Sequence, residues 1–283
     1  MKRVKRAALI KQLRLTPGYA LLILWLLFFG VSIRWIFLAS FSSTREIFSN
    51  KLLQSGFHFE NYIKAWTTNK LSLYFLNSVF YSTVSCLAAV LIASPAAYVL
   101  GRKIFRGRAL FTKSLLVMMA MPSAMIVFTL YVVLIRMGLV GSVLTLIVMY
   151  TSSIIPFTIF FLTGFYSSLP NELGEAATAD GCSQARILWQ IYTPLAQPGI
   201  ITVVIFNFLG IWNEYFMSTV FAQKQEIRPL SVGLYQIIQS MIFDGDWAGL
   251  FAAVMIVVLP TLLLYLILSD KIVAGVTGGA LKG

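Results

Sequence analysis

Residues 167–199 read SSLPNELGEAATADGCSQARILWQIYTPLAQPG, a polar stretch between two long apolar runs. Pro170 suits the first turn of a helix, and the acids that follow complement the dipole of that helix. Gly181 stops the helix, because glycine adopts the left-handed conformation at little cost. Ser183 caps a second helix, which Pro194 ends. The stretch therefore predicts two short helices joined by a turn.

The two predicted helices carry different surfaces. In the second, Ile187, Leu188 and Ile191 form an apolar face. In the first, the small side chains of Ala176 and Ala177 allow another surface to approach closely. The residues alone leave two interpretations open, a docking site for a partner or a loop that is simply ordered into helices.

Composition places these helices in a membrane protein. Of the 283 residues, 59% are hydrophobic and only 11% are charged, too few charges to cover a soluble fold of this length. Several apolar runs exceed the roughly 18 residues that cross a bilayer as a helix. The formal net charge of +12 is explained better by the topology of the loops than by binding to nucleic acid.

Six apolar runs predict six membrane spans. Four of the spans contain a proline, which frees a backbone carbonyl and bends the axis, so a bundle around a cavity is favoured. The predicted spans cover residues 16–41, 73–100, 111–136, 140–166, 198–222 and 247–269. The prolines of the second, third, fourth and sixth spans are Pro95, Pro122, Pro156 and Pro260.

The distribution of Lys and Arg predicts the direction of the spans. With both termini inside the cell, the cytosolic segments hold 14 of these residues and the outer segments hold 7, in agreement with the positive-inside rule. The polar stretch then lies in the cytosol, and the outer loops at 42–72 and 223–246 are long enough to meet a partner. The predicted division is a cytosolic basic N-terminus (1–15), a first span with its outer loop (16–72), a five-span core (73–270) that includes the polar stretch at 167–197, and a cytosolic tail (271–283).

Few side chains suit catalysis or metal binding. Cys86 lies in an apolar run and Cys182 lies in the cytosolic stretch, so no disulfide is expected. His58 is the only histidine and forms no metal site by itself. The sequence has no Gly-x4-Gly-Lys-Ser/Thr phosphate loop and no His-Glu-x-x-His motif. It therefore predicts neither an ATPase nor a zinc hydrolase, and no catalytic residue.

Of the residues in the fifth predicted span, Glu214 costs the most free energy to place inside a membrane. Ionisable groups at this depth face a cavity or a partner charge. The alternative is a structural pairing of Glu214 with Arg34 or Arg136. On a continuous helix one face is shared by Asn207, Gly210, Glu214 and Met217. Sugars are bound by hydrogen-bonding side chains and aromatic faces, which this span and the outer half of the fourth both offer. The candidate substrate-pathway residues are Asn207, Gly210, Trp212, Asn213, Glu214, Tyr215, Tyr150 and Ser152.

The polar stretch resembles the EAA loop of the permease subunits of bacterial ABC importers. The match is EAATADG, nine further residues and then IYTP, with Thr193 where the family has leucine. The resemblance runs from about residue 15 to the C-terminus and includes NSVFYSTVSCLAAVLIASPAAYVLGRKIFRGR, LGIWNEY and the terminal GVTGGALKG. The last two stretches are similar to carbohydrate permeases of the maltose-transporter type.

The resemblance implies an all-α, six-span type I ABC importer permease fold in a bacterial inner membrane, with both termini cytoplasmic. It implies that cytosolic ATPases drive transport through the EAA loop and bind ATP and Mg²⁺ themselves, so this chain needs no cofactor. The implied partners are a homologous permease subunit, two ATPase subunits, an extracytoplasmic sugar-binding protein and the lipid bilayer, with no nucleic acid. The implied coupling residues are Glu175, Ala176, Ala177, Asp180, Gly181, Ile191 and Pro194.

The implied function is ATP-driven uptake of a sugar or oligosaccharide by alternating access. Permeases for polyamines, phosphate or glycerol phosphate share the coupling loop, and only the tail and the fifth span argue against them. A second alternative is a proton-coupled secondary transporter that uses Glu214. An internal repeat would support it, but the two halves of the sequence show no convincing one.

Overall fold

The computed structural model describes the backbone of residues 2–280 and the side chains of residues 16–241 and 243–271. Every regular element in that part of the chain is helical, which confirms the predicted all-α class. The predicted N-terminal basic cluster and most of the predicted tail at 271–283 have side chains outside the described residues. The helices are α1 (Lys2–Ser40), α2 (Thr44–Ser49), α3 (Glu60–Thr67), α4 (Leu71–Arg102), α5 (Arg108–Ala120), α6 (Ser123–Arg136), α7 (Val143–Ser168), α8 (Glu172–Ala179), α9 (Gln184–Ile187), α10 (Thr193–Leu195), α11 (Gln197–Trp212), α12 (Phe216–Phe221), α13 (Leu230–Asp244) and α14 (Trp247–Ala280), with a π-helical turn at Leu188–Tyr192 and a 3₁₀ turn at Gln225–Ile227.

Four helical segments are long and apolar enough to cross a membrane. They agree with the first, second, fourth and sixth predicted spans. Pro95, Pro156 and Pro260 lie inside continuous helices. The segments are Thr16–Ser40, Leu71–Arg102, Val143–Ser168 and Trp247–Lys271.

The third predicted span is not one straight helix. Helix α5 ends at Ala120, α6 begins at Ser123, and their axes differ by 91°. Pro122 lies at the break and Met121 is extended, because a residue before proline is pushed out of the helical region. The described residues give four spans, or six if each bent helix pair crosses as one, so the count of six stays a prediction.

The fifth predicted span is interrupted as well. Helix α11 ends at Trp212 and the short α12 begins only at Phe216, so residues 213–215 separate two helices. A second bend, of 77°, separates the helical segment Gln184–Leu195 from Gln197–Trp212. The expectation that residues 198–222 form one continuous helix is therefore wrong.

The chain forms two compact units, and the first comprises residues 1–69 and 237–256. None of the apolar window of its first span is buried. The end of α1 is packed, since Ala39 is buried with Ile47 and Ala248. The predicted outer loop at 42–72 contains α2 and α3.

The second unit comprises residues 70–236 and 257–283. Helix α4 packs along α7, and α11 packs against both. Two apolar cores follow from this arrangement. The first surrounds Tyr98, Tyr166 and Tyr192, and the second surrounds Tyr150 and Phe221. The first core includes the polar stretch at 167–197, called the polar segment below.

One close approach in the second unit depends on a glycine. A Cβ atom at Gly233 of α13 would lie 2.1 Å from Cδ2 of Tyr74 in α4. The Tyr74 ring cannot swing aside freely, because its hydroxyl accepts from Gln225 Nε2 at 3.0 Å and donates to Gln236 Oε1 at 3.3 Å. The absence of a side chain at position 233 therefore sets how closely α13 approaches α4.

We expect Gly233→Ala to lower the free energy of unfolding by about 1–3 kcal/mol, the usual cost of overpacking. The matched control is Gly164→Ala in the interior of α7, where a Cβ meets nothing within 4 Å. Thermal unfolding of the two purified variants in the same detergent measures the difference. Equal melting temperatures for both variants would contradict the predicted clash.

Candidate functional site

The first helix of the polar segment is α8. It begins at Glu172, two residues later than predicted, because the carbonyl of Pro170 is engaged outside the helix by Arg102 and Tyr192. Glu172 and Glu175 occupy its first turn, where acids are favoured by the helix dipole. The predicted short acidic helix is confirmed, with a corrected start.

The predicted turn at Gly181 is confirmed. Gly181 has a φ of +78° and open space where a Cβ would lie, so the backbone conformation selects glycine there, not the packing. Ser183 then caps α9 as expected, since its Oγ accepts from the N–H of Arg186 at 3.3 Å.

The predicted helix end at Pro194 is correct to within one residue, since the last helical residue is Leu195. The helical course continues through a π-helical turn at Leu188–Tyr192 into α10, which reaches Leu195. Pro194 has no N–H for a carbonyl four residues earlier, and the N–H of Thr193 instead reaches the carbonyl of Leu188, five residues back. A π-turn followed by proline at the start of the last short turn satisfies these groups, and the helical course then ends at Leu195.

The residues implied for coupling divide by exposure. Ala177 is buried and Ile191 is half-buried, so both belong to the core of the segment. The apolar face is completed by Tyr192, which the sequence did not indicate. The others are exposed: Glu175, Ala176, Asp180, Gly181 and Pro194. Three of them, Glu175, Ala176 and Asp180, form with the exposed residues Glu172, Leu173 and Ala179 what is called the acidic tip below.

Arg102, at the end of α4, fixes the polar segment in place. Its Nη1 donates to the carbonyls of Tyr166 at 3.1 Å and Leu169 at 2.5 Å. Its Nη2 donates to the carbonyl of Pro170 at 2.9 Å and to the Tyr192 hydroxyl at 2.6 Å. The guanidinium also lies 4.4 Å from the centre of the Tyr192 ring. One side chain therefore joins α4, the end of α7 and both halves of the polar segment, an arrangement called the arginine clamp below.

Tyr192 and its neighbours complete the clamp. A Cβ at Gly174 of α8 would lie 2.5 Å from the Tyr192 hydroxyl, so only glycine allows α8 to pack here. The Tyr98 hydroxyl donates to Gln184 Oε1 at 3.1 Å and ties α4 to α9. A cavity of about 410 Å³ remains between these elements, lined in part by Lys103 and Glu175.

Sequence reasoning missed the clamp. From the sequence, Arg102 is only one of the basic residues that predict the topology, Tyr192 lies within the IYTP of the EAA match but is not among the implied coupling residues, and Gly174 lies outside that match. An arginine directly at the end of a spanning helix was the available signal, since such a residue can reach the carbonyl ends of neighbouring helices.

Glu214 lies in the interruption between α11 and α12 and is half-buried. Its carboxylate accepts from the N–H groups of Met217 at 2.6 Å and Ser218 at 3.0 Å, and from Ser218 Oγ at 2.7 Å. These donors open α12, so Glu214 acts as the cap of that helix. Neither of the two salt bridges formed among the described residues involves Glu214, so the alternative pairing of Glu214 with Arg136 is not formed.

The predicted common face of the fifth span is wrong, because α11 ends at Trp212. Asn207 is only 3% exposed and donates to Thr158 Oγ1 at 2.8 Å. Trp212 is 2% exposed, and its Nε1 donates to the carbonyl of Val257 at 3.3 Å. Gly210 lies on the exposed side. The structure therefore places Asn207 and Trp212 inside the bundle and not on a surface open to a ligand.

The other candidate residues surround the interruption or lie on α7. Asn213 and Tyr215 are exposed beside Glu214. Tyr150 is buried, and its hydroxyl hydrogen-bonds to Ser218 Oγ. Ser152 is exposed, but its hydroxyl donates to the carbonyl of Val148 at 2.6 Å in its own helix. The residues that remain open to a ligand are Gly210, Asn213, Tyr215 and Ser152, with Glu214 half-open.

The described residues contain no group of three or more His, Cys, Asp and Glu side chains that could hold a metal ion. Cys86 is buried and Cys182 is half-buried, and the two are not joined by a disulfide.

Comparison with known families decides the class of the chain. The model of the family described as "Binding-protein-dependent transport system inner membrane component" matches residues 89–277, more than half of the sequence. The chain belongs to this family. The match includes the polar segment, the arginine clamp and the interruption at 213–215.

Curated relatives extend the likeness to almost the whole permease. The diacetylchitobiose uptake system permease protein NgcG of Streptomyces coelicolor is 36% identical over 94% of this chain and 88% of its own length. The trehalose/maltose transport system permease protein MalG of Thermococcus litoralis is 28% identical over 98% of this chain and 99% of its own length.

A solved structure has the same fold. The chain is similar, with a TM-score of 0.77, to one described as a bacterial ABC transporter involved in the import of the acidic polysaccharide alginate. The alignment covers 89% of this chain and 94% of that chain at 23% sequence identity. At this identity the similarity establishes the ABC importer permease fold and nothing about the substrate.

Family membership fixes the general role of the permease. It is a multi-pass membrane component of an ABC transport system and not its ATPase, and ATP hydrolysis belongs to separate partner subunits. A binding protein delivers the solute to systems of this family.

We expect Arg102→Gln to reduce transport at least about tenfold, since several charge-assisted hydrogen bonds of about 1.5–3 kcal/mol each hold the polar segment. Lys103→Gln is the matched control. Lys103 is exposed, and its Nζ lies 6.0 Å from the centre of the Tyr98 ring, whereas the Arg102 guanidinium lies 4.4 Å from that of Tyr192. Uptake and ATP hydrolysis are measured in the reconstituted complex. Equal uptake by the two variants would show that the clamp is dispensable.

Proposed function

We propose that this permease moves a sugar of about disaccharide size into the cell by alternating access. The observation that carries the proposal is the likeness to diacetylchitobiose and trehalose/maltose permeases over more than nine-tenths of the chain. A third relative is the sulfoquinovosyl glycerol transport system permease protein SmoH of Agrobacterium fabrum, which is 30% identical over 79% of the chain. Its name also refers to a glycoside. Three relatives with saccharide substrates favour a sugar over a polyamine or glycerol phosphate.

The acidic tip is the proposed contact with the partner ATPase. It combines three exposed acids with exposed alanines at 176 and 179, which suits close approach by a surface with basic groups. Such surfaces are complementary in charge and set the orientation of docking. The arginine clamp supports this role, since a tip that is tied to α4 and α7 transmits a push from the ATPase to both helices.

The proposed assembly contains this subunit, a homologous permease subunit, two ATPase subunits and an extracytoplasmic sugar-binding protein. The first span supports a membrane partner, because none of its apolar window is buried in its own chain and a neighbouring helix or lipid must cover it. The proposed topology places both termini in the cytoplasm, as the excess of Lys and Arg on that side indicates.

The proposed sugar contact is the interruption at 213–215. Asn213 and Tyr215 are exposed there beside the half-open Glu214, so an amide, a phenol and a carboxylate are available to hydroxyl groups. The Tyr215 ring lies 5.2 Å from the ring of Tyr235, and aromatic pairs of this kind offer an apolar face to a sugar ring. Asn207, Trp212 and Tyr150 have a supporting role in this proposal, since they are buried behind it.

Reversal of charge at the acidic tip tests the coupling role. We expect Glu175→Lys to abolish uptake while membrane insertion and the abundance of the subunit stay normal, because a like charge then faces the ATPase. The matched control is Ala185→Lys, which places the same side chain at an exposed position of α9 in the polar segment but outside the acidic tip. The proposed contact at Glu175 is wrong if both variants, measured for ATP-dependent uptake and for co-purification of the ATPase, behave like wild type.

Energetics separates the importer from the alternative of a secondary transporter that uses Glu214. In proteoliposomes with the partner subunits and binding protein, uptake of diacetylchitobiose, trehalose or maltose should require ATP inside and survive an uncoupler. Glu214→Gln should reduce uptake about two- to tenfold, because the amide accepts fewer hydrogen bonds at the start of α12, and should not abolish it. Uptake that needs a proton gradient, and is lost in Glu214→Gln, would favour the secondary transporter.

A further inference from the structure

A group of aromatic rings at the C-terminal end of α1 has no part in the proposed transport mechanism. Between ring centres, Phe41 lies 5.2 Å from Phe37 and 4.8 Å from Tyr62. It also lies 5.7 Å from Phe57 and 5.3 Å from Phe59, and these two rings stack on each other at 6.1 Å. The five side chains are called the aromatic patch below.

The aromatic patch is open on one side although its rings pack together. Phe57 and Phe59 are each 61% exposed, and Phe37 is 44% exposed. Apolar surface of this kind is stabilised when it is removed from water, and a contiguous exposed patch marks a site of interaction with a partner or a membrane. The patch is therefore an interaction surface, and its place in the chain indicates what covers it.

Backbone and amide contacts fix the loop that carries the exposed rings. The N–H of His58 donates to the carbonyl of Phe41 at 2.8 Å. The side-chain amide of Asn61 donates to the carbonyls of Ser40 and Ser42, each at 3.0 Å. The loop is thus tied to the last residues of α1 on both sides of the exposed pair of phenylalanines.

The carboxylate of Glu46 fixes the earlier part of the same loop. Its Oε2 accepts from the N–H of Ser43 at 2.8 Å, within a capping box at the start of α2. Its Oε1 accepts from the N–H of Ser55 at 2.5 Å. The segment that leads to the patch is therefore folded back toward the end of α1 and does not project freely from it.

The charges of α1 indicate where the membrane ends along this helix. Residues 16–33 contain no charged side chain. At 1.5 Å per residue this stretch covers about 27 Å, close to the roughly 30 Å of a hydrocarbon core. Arg34 comes next and is exposed. Because a long arginine side chain extends to the headgroups from slightly inside the core, the boundary of the hydrocarbon lies just beyond Arg34.

Helix α14 gives the same level independently. Its apolar span begins directly after Asp246. The ring of Phe251, in the second turn of that span, lies 5.2 Å from the ring of Trp35, and Ala248 is buried with Ala39. The start of α14 therefore lies beside the last turns of α1, and both helices place the boundary of the hydrocarbon at these turns.

We propose that the aromatic patch inserts into the headgroup layer of the bilayer and holds the loop at 43–60 on the membrane surface. Phe41 directly follows the last residue of α1, so the rings packed around it lie at the boundary defined above, a depth that aromatic side chains favour. Glu60 follows Phe59 and has a side chain that is 69% exposed. Because a carboxylate is costly inside the hydrocarbon, it limits the rings to the depth of the phospholipid headgroups.

The anchor restricts what the loop can bind. A loop held along the membrane is not available to a soluble partner, although its length alone allows one. The patch is also continuous with the apolar window of α1, none of which is buried in its own chain, so one lipid-facing surface extends from the span onto the loop. The inference depends on the depth of α1 in the bilayer. It does not depend on which side is the outside or on which solute is carried.

Photo-crosslinking tests the anchor. The photoreactive p-benzoylphenylalanine replaces Phe57 or Phe59 in the full chain, within the assembled complex in vesicles of phosphatidylethanolamine and phosphatidylglycerol, and mass spectrometry identifies what the irradiated chain has gained. The matched control is the same replacement at Gln54, an exposed residue of the same loop. We expect a phospholipid adduct at about five times the yield at Gln54 or more, since rings at the headgroup boundary contact lipid and a loop residue outside it contacts water.

A second pair of variants tests the stacked rings themselves. With the probe at position 57, Phe59→Ser should lower the yield of the lipid adduct about threefold or more, because the loop loses apolar surface that favours the bilayer. The matched control is Phe48→Ser, since Phe48 is a 68% exposed phenylalanine of α2 outside the aromatic patch. It should leave the yield unchanged.

Three results would overturn the proposal. They are crosslinking to another protein chain in place of lipid, a lipid yield at positions 57 and 59 no higher than at 54, and equal effects of the two serine variants. Crosslinking to a protein would assign the patch to a partner permease or to a soluble binding protein. These measurements need no transport, so their failure leaves the proposed uptake of a sugar untouched.

Discussion

The arrangement of the second unit depends on how the guanidinium of Arg102 is satisfied. The end of α7 leaves carbonyl groups without helical partners, and Arg102 takes those of Tyr166, Leu169 and Pro170 while its plane lies over Tyr192. A flexible polar loop at the end of a spanning helix is thereby converted into a fixed projection. Every role proposed for the acidic tip requires this rigidity, because a loose tip would absorb motion without passing it on.

The second recurring theme is the use of carboxylates to start helices. Glu46 caps α2 and Glu214 caps α12, each through backbone N–H groups. In a chain with ten acids, two therefore stabilise the ends of short helices beside larger ones. At Glu214 this has a functional consequence, since the same contacts hold open the interruption at which exposed polar side chains collect.

Much of the fold was predictable because apolar length and special backbone residues are local signals. Four helices long and apolar enough to cross a membrane, the turn at Gly181 and the cap at Ser183 follow from these signals and are confirmed. The break at Pro122 was not predictable, since Pro95 and Pro156 sit in helices that continue. The same holds for the reach of Arg102, because its partners Tyr166, Leu169, Pro170 and Tyr192 are distant in sequence.

The π-helical turn at Leu188–Tyr192 has a mechanical consequence. Such a turn contains one residue more than an α-helical course would use, and one residue corresponds to about 100° of rotation in an α-helix. The surplus residue thus sets the angular phase between the acidic tip and α11. Each residue inserted or deleted in this connection would rotate the acidic tip relative to α11 by about 100°. The length of the connection is therefore under tighter constraint than its composition.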